Sequence, residues 1–192
     1  GWVDASGNEY ALVGLKNGFS VVDVTNPVNP TQEFHIPDVN STWRDVKTWG
    51  NYAYVTTEAN AGLLIVDLTD MTGATFWHVK DFMNPTTGVN LHWEAAHDLF
   101  IDENGVCYIF GASNPNGFPA PPSSVIFLDV AANPTNPTHL GQWIDSQLST
   151  QNNYVHDGMV RGDTMYTGNI YSGKVFIVDV SDKASPVTIG SH

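Results

Sequence analysis

The chain has 192 residues and a net charge of −13, from seven Lys and Arg against 20 Asp and Glu. That length is enough for one core-bearing domain, and that charge excludes a basic surface for tracking nucleic acid or anionic lipid. Charged residues make up only 14% and aromatic residues 11%, which excludes a disordered acidic tail.

The first unit opens with Trp2-Val3-Asp4, continues through Tyr10-Ala11-Leu12-Val13 and reaches the aliphatic run Val21-Val22-Asp23-Val24. A proline-punctuated turn, Thr25 to Pro30, follows it. The second unit runs in the same order: Arg44-Asp45-Val46, then Tyr52-Ala53-Tyr54-Val55, then Ile65-Val66-Asp67-Leu68. In the third, His97-Asp98-Leu99 leads to Val106-Cys107-Tyr108-Ile109 and to Phe127-Leu128-Asp129-Val130, with Asn133 to Pro137 beyond. The fourth reads His156-Asp157-Gly158, Thr164-Met165-Tyr166-Thr167 and Ile177-Val178-Asp179-Val180, closed by Ser181 to Pro186. Proline cannot donate to a ladder, so each such turn lies outside a central strand.

From marker aspartate to run aspartate the distances are 19, 22, 31 and 22 residues. The Pro/Gly/Asn/Ser-rich stretch from Gly111 to Ser124 lengthens the third and reads as a surface loop. No window of helical length keeps apolar residues at i, i+3, i+4 and i+7. Four-stranded units of roughly 40–50 residues, rich in Val, Ile, Tyr and Phe, predict an all-β chain: a β-propeller of four-stranded antiparallel blades. About four blades are present in one region, 1–192, divided at 1–40, 41–90, 91–150 and 151–192. Val22, Val66, Leu128 and Val178 are expected on equivalent third strands, in matching environments. Cys107, the single cysteine, is expected to be a buried thiol and excludes a disulfide framework. Apolar runs such as Leu63-Leu64-Ile65-Val66 fall far short of the roughly 20 residues of a spanning helix.

The aliphatic-Asp runs followed by Asn-Pro or Ser-Pro resemble the LVIVD repeat. Together with Ser41-Thr42-Trp43-Arg44-Asp45-Val46-Lys47, Ala96-His97-Asp98 and Tyr154-Val155-His156-Asp157, they make the chain similar to the choice-of-anchor B family. The resemblance implies a bacterial propeller that is secreted or displayed at the cell surface. It also implies blades beyond the four seen here. The first and fourth units are therefore expected to face further blades of the same protein or another surface protein.

Candidate sites gather at the mouth of the central channel. Side chains alternate along a strand, so a His-Asp pair there is expected to send its two side chains opposite ways. Asp4, Asp45, Asp98 and Asp157 are expected to bond loop N–H groups and lock blade to blade. The alternative is a ring of carboxylates or imidazoles around a divalent cation, with His97, His156, Asp98 and Asp157 as ligand candidates. His92-Trp93-Glu94-Ala95-Ala96-His97 lacks the His-Glu-x-x-His spacing of zinc proteases. Asp102-Glu103-Asn104-Gly105 reads as a hairpin turn rather than a calcium loop, and Arg161-Gly162-Asp163 reads as a turn rather than an adhesion tripeptide. The glycosylation pattern Asn40-Ser41-Thr42 reads as coincidence. Most tryptophans are assigned to inter-blade cores, and a minority to an exposed face that stacks on a sugar or partner. No catalytic residue stands out. A non-enzymatic binding or interaction scaffold, with a protein partner or glycan as ligand, is the leading reading. A metal-dependent enzyme at the channel mouth and a structural part of a larger surface assembly are the alternatives. Neither nucleic acid nor membrane insertion is expected.

Overall fold

The aspartate that closes each aliphatic run turns the chain. Asp23 Oδ1 accepts from the Thr25 N–H at 2.8 Å, Asp67 Oδ1 from Thr69 at 2.8 Å, Asp129 Oδ1 from Ala132 at 2.9 Å and Asp179 Oδ1 from Ser181 at 2.9 Å. A short acceptor side chain that bonds the backbone just ahead of it ends a strand and starts a turn. Those backbone bonds hold the Asp179 carboxyl below its usual range.

The computed structural model describes residues 1–113, 125–149 and 152–192. Most of the expected loop, residues 114–124, thus lies outside the described residues. Within them the regular elements are strands. The first sheet holds β1 (Trp2–Val3), β2 (Glu9–Leu15), β3 (Gly18–Asp23) and β4 (Thr31–Pro37). The second holds β5 (Arg44–Trp49), β6 (Tyr52–Thr57), β7 (Leu63–Asp67) and β8 (Phe76–Val79). A two-stranded hairpin, β9 (Asp81–Met83) and β10 (Asn90–His92), comes next. The third sheet holds β11 (Asp98–Ile101), β12 (Val106–Phe110), β13 (Val125–Asp129) and β14 (Thr138–Trp143). The fourth holds β15 (Asp157–Arg161), β16 (Thr164–Asn169), β17 (Lys174–Asp179) and β18 (Val187–Ser191). Each four-stranded sheet is antiparallel in simple chain order, which is the propeller blade expected from the repeats. The 90/91 division falls inside β10.

The proline turns leave a mark in the register. Between third and fourth strands a bulge occurs at Val21/Val22, Phe127/Leu128 and Ile177/Val178, whereas β7 and β8 pair without one. The three bulged blades are those whose turn carries proline. An extra residue re-aims the outer strand after a turn that cannot donate.

Alternation along the third strands builds the cores between blades. Phe19 and Val21 meet Leu64 and Val66; Leu63 and Ile65 meet Ile126 and Leu128; Phe127 meets Phe176 and Val178. The β9–β10 hairpin adds Phe82 and Leu91 to the middle core, and Trp93 stacks on Phe82 at 5.3 Å and 7°. Val66, Leu128 and Val178 are fully buried, but Val22, at the matching place, is only half-buried. It lies on the side of the first sheet that no other described sheet covers. On the far side of the fourth sheet Met159, Tyr166 and Val175 are likewise exposed.

Blade contacts are close enough to require glycine. A Cβ on Gly141, in β14, would lie 1.8 Å from the Lys183 carbonyl oxygen of the next blade. Gly141→Ala is expected to lower unfolding free energy by about 1–3 kcal/mol, as overpacked sites do, measurable by urea unfolding.

Cys107 is buried and its thiol pKa is pushed up by burial. It should resist a thiol reagent in native protein and react promptly in denaturant; rapid native labelling would contradict that placement.

Asp4 does not match Asp45, Asp98 and Asp157. It lies in the β1–β2 turn, where Oδ1 accepts from the N–H groups of Ser6 and Asn8 at 2.8 and 2.9 Å. Asp102 does the same in the β11–β12 turn, accepting from Asn104 and Val106 at 2.9 Å, while its Oδ2 accepts from the Tyr108 hydroxyl at 3.0 Å. Both are hairpin aspartates at the opposite end of the inner strand from the mouth. Gly162, in the β15–β16 turn, has φ +57°, so Arg161-Gly162-Asp163 is a hairpin turn.

Candidate functional site at the channel mouth

The inner strands β5, β11 and β15 lie side by side, which brings their first residues together. Trp43, His97 and His156 come just before these strands. Glu58 follows β6, and Ile170 and Tyr171 follow β16, at the same end. Because His97 and His156 precede their strands, alternation does not separate them from Asp98 and Asp157. All four line one cavity of about 160 Å³.

Its floor is a row of three carboxyls, one per blade. Asp98 stands beside Asp45 on one side and Asp157 on the other, within hydrogen-bond reach of both, and its single carboxyl proton serves one of them at a time. Burial and these two carboxyl neighbours raise its pKa to about 9, so at neutral pH Asp98 carries the proton that the row shares. Burial alone would raise Asp45 as well, but the bond from Asp98 and the Lys47 ammonium outweigh it and hold Asp45 below its usual range. Lys47 Nζ bonds Asp45 and lies 3.8 Å from Asp98 Oδ1. Asp45 Oδ2 also accepts from the Leu99 N–H at 3.4 Å, across to the next blade. The expected blade-to-blade lock is therefore present at Asp45, Asp98 and Asp157, made chiefly carboxyl to carboxyl. Asp157 Oδ1 accepts from the Gly158 N–H at 2.6 Å.

Above the floor stands a second cavity of about 330 Å³, sharing Trp43, His97 and His156 with the first. Glu58 Oε1 lies 2.7 Å from His97 Nδ1. A carboxylate only accepts, so Nδ1 carries the hydrogen and Nε2 faces away from Glu58. Tyr154 also bonds Glu58; burial first, then the Glu58 charge, raises its hydroxyl pKa to about 12. The His97 and His156 ring centroids are 4.0 Å apart, and Tyr154 and Tyr171 meet at 5.5 Å. Gly111, at φ +65°, lets the Tyr154 ring and His97 close over the backbone: a Cβ there would meet them at 3.1 and 3.2 Å. Trp43 is 55% exposed and Tyr171 59%. Trp93 and Trp143, by contrast, are buried in the cores.

The structure thus brings His97, His156, Asp98 and Asp157 together and leaves Asp4 out. Among the described residues no group of three or more His, Cys, Asp or Glu is arranged to hold a metal ion. Glu58, Tyr154, Tyr171 and Lys47 also belong to the mouth although the repeats do not single them out.

The model of the LVIVD repeat matches residues 2–36, 42–76 and 160–192, more than half of the chain. The chain belongs to the LVIVD repeat family. The third blade of this LVIVD protein, which carries the long segment between β12 and β13, falls outside the matched stretches. No curated protein matches it in sequence. Among solved structures it superposes on a Bacteroides fragilis protein assigned as a 6-phosphogluconolactonase, with TM-score 0.56 and 9% identity, over 96% of this chain and 54% of that one. It therefore spans about half the length of that structure, and identity so low shows the fold alone. A nidogen/laminin complex aligns at TM-score 0.35 and 10% identity, over 95% of this chain and 78% of that one, too weak a likeness to carry an argument.

Proposed function

We propose that this LVIVD protein is a non-enzymatic binding scaffold of the choice-of-anchor B kind, exported by a bacterium, that recognises its ligand at the channel mouth. The observation that carries the reading is the pair of joined cavities with exposed Trp43 and Tyr171 at the rim. Large aromatic rings held open beside polar groups are typical of recognition surfaces. Asp98 supports it too: its proton is bonded into the row that ties three blades together, which gives that carboxyl a structural task. The exposed apolar faces of the first and fourth sheets suit further blades or another surface protein.

A ligand-observed NMR screen of amines, sugars and short peptides tests this reading. Wild type is expected to bind at least one class, and Trp43→Ala/Tyr171→Ala to lose that binding while keeping its unfolding midpoint. Product formation by wild type that disappears in His97→Ala would overturn it in favour of an enzyme.

A further inference from the structure

We propose that the ligand of the mouth is an organic cation, an alkylguanidinium or alkylammonium group, seated between Trp43 and Tyr171 and facing Glu58. This rests on the binding reading above and names its ligand class.

Three observations point the same way. First, the mouth is rich in acceptors: Glu58, Asp45 and Asp157 offer carboxylate oxygens. A group that only donates fits such a frame better than one that must also accept.

Second, the protein's own cations near the mouth are already engaged. The Arg44 side chain is only 2% exposed, bonded to Asp38 at 2.6 Å and to the Leu15 carbonyl at 2.9 Å. Lys47 is held by Asp45. The upper cavity therefore has Glu58, 39% exposed at its side chain, with no lysine or arginine among its described lining residues. The whole chain, at −13, adds an attractive field for positive ligands.

Third, the rim is aromatic. Trp43 lies 6.1 Å from His97, and Tyr171 5.5 Å from Tyr154, so indole and phenol faces border the same opening as the carboxylate. A cation over such faces gains attraction from the ring quadrupoles, and guanidinium also stacks. The upper cavity, at about 330 Å³, has room for a side-chain-sized group.

Calorimetric titration with N-acetyl-arginine amide tests the proposal against its uncharged citrulline counterpart and methyl glucoside. The arginine compound is expected to bind at least about tenfold more tightly than citrulline, with affinity falling as salt rises. Glu58→Gln and Trp43→Ala should each weaken it about tenfold with an unchanged unfolding midpoint. An Arg-containing tripeptide separates the sources. Much tighter binding of the tripeptide indicates a protein partner, and equal binding indicates a free cation. Equal affinity for citrulline overturns the cation class. So does glucoside binding that depends on Trp43 without arginine binding, an outcome that leaves the binding scaffold standing. If no compound of any class binds at the mouth, both readings fall.

Discussion

Leu128→Ala should lower the unfolding free energy by about 2–5 kcal/mol, whereas Val22→Ala should cost no more than about 1 kcal/mol. The two positions match in the repeat, each just before its run aspartate on a third strand. Leu128 is fully buried between the second and third sheets, in the core with Leu63, Ile65 and Ile126. Truncating its isobutyl group to a methyl leaves a cavity that two stiff sheets cannot close. Val22 faces the uncovered side of the first sheet and is half-buried, so truncation there loses little contact. Val66→Ala and Val178→Ala, at the two other matching sites, should fall between these values. Urea unfolding of the four variants measures the series. Equal losses at Val22 and Leu128 would show that the first sheet is covered in solution on the side left bare here.

The wild type should lose stability as pH rises from about 5 to about 9, and Asp98→Asn should remove most of that loss. The folded Asp98 pKa is raised to about 9, against 3.8 for the ordinary side chain. Between those values the folded chain keeps a proton that the unfolded chain has released. The contribution of Asp98 is therefore full below about pH 4 and declines as pH climbs through the window to about 9. Asp45 runs the other way, because its pKa is depressed: its contribution is present above 3.8 and is lost only as pH falls further. The two effects occupy different pH windows, which leaves Asp98 exposed as the source of the alkaline loss. An asparagine amide keeps the size of the group and can still donate to Asp45. At about pH 9, Asp98→Asn should melt several degrees above wild type, given roughly 2–4 °C per kcal/mol for a chain of this size. Parallel melting curves across the range would mean that Asp98 is ionised in the fold.

The repeats were legible because their chemistry is local. An aspartate after two apolar residues accepts from a backbone N–H two or three residues on, and in three blades proline then keeps the turn out of the ladder. Neither step depends on anything distant, so the four blades and their strand order follow from the residues themselves. Asp4 misled because a hairpin aspartate and a mouth aspartate look alike along the chain. The signal was its spacing, 19 residues to the run aspartate where the second and fourth blades have 22. The exposure of Val22 depends on what flanks a sheet, which no repeat records.

The candidate site was half legible. His97, His156, Asp98 and Asp157 sit at equivalent places before or at the start of inner strands, and the fold brings them together. The proton shared along Asp45, Asp98 and Asp157 was hidden, because it exists only once three separate strands align. Glu58 and Tyr171 follow strands in stretches without a repeated pattern, and only the cavity connects them.

Heteronuclear NMR of the indole N–H groups during titration with N-acetyl-arginine amide tests the mouth as a binding site most directly. The Trp43 resonance should shift progressively and saturate, while those of Trp93 and Trp143, buried in the blade cores, should stay in place. Saturating shifts at other tryptophans with Trp43 unmoved would place binding away from the mouth and contradict the assignment.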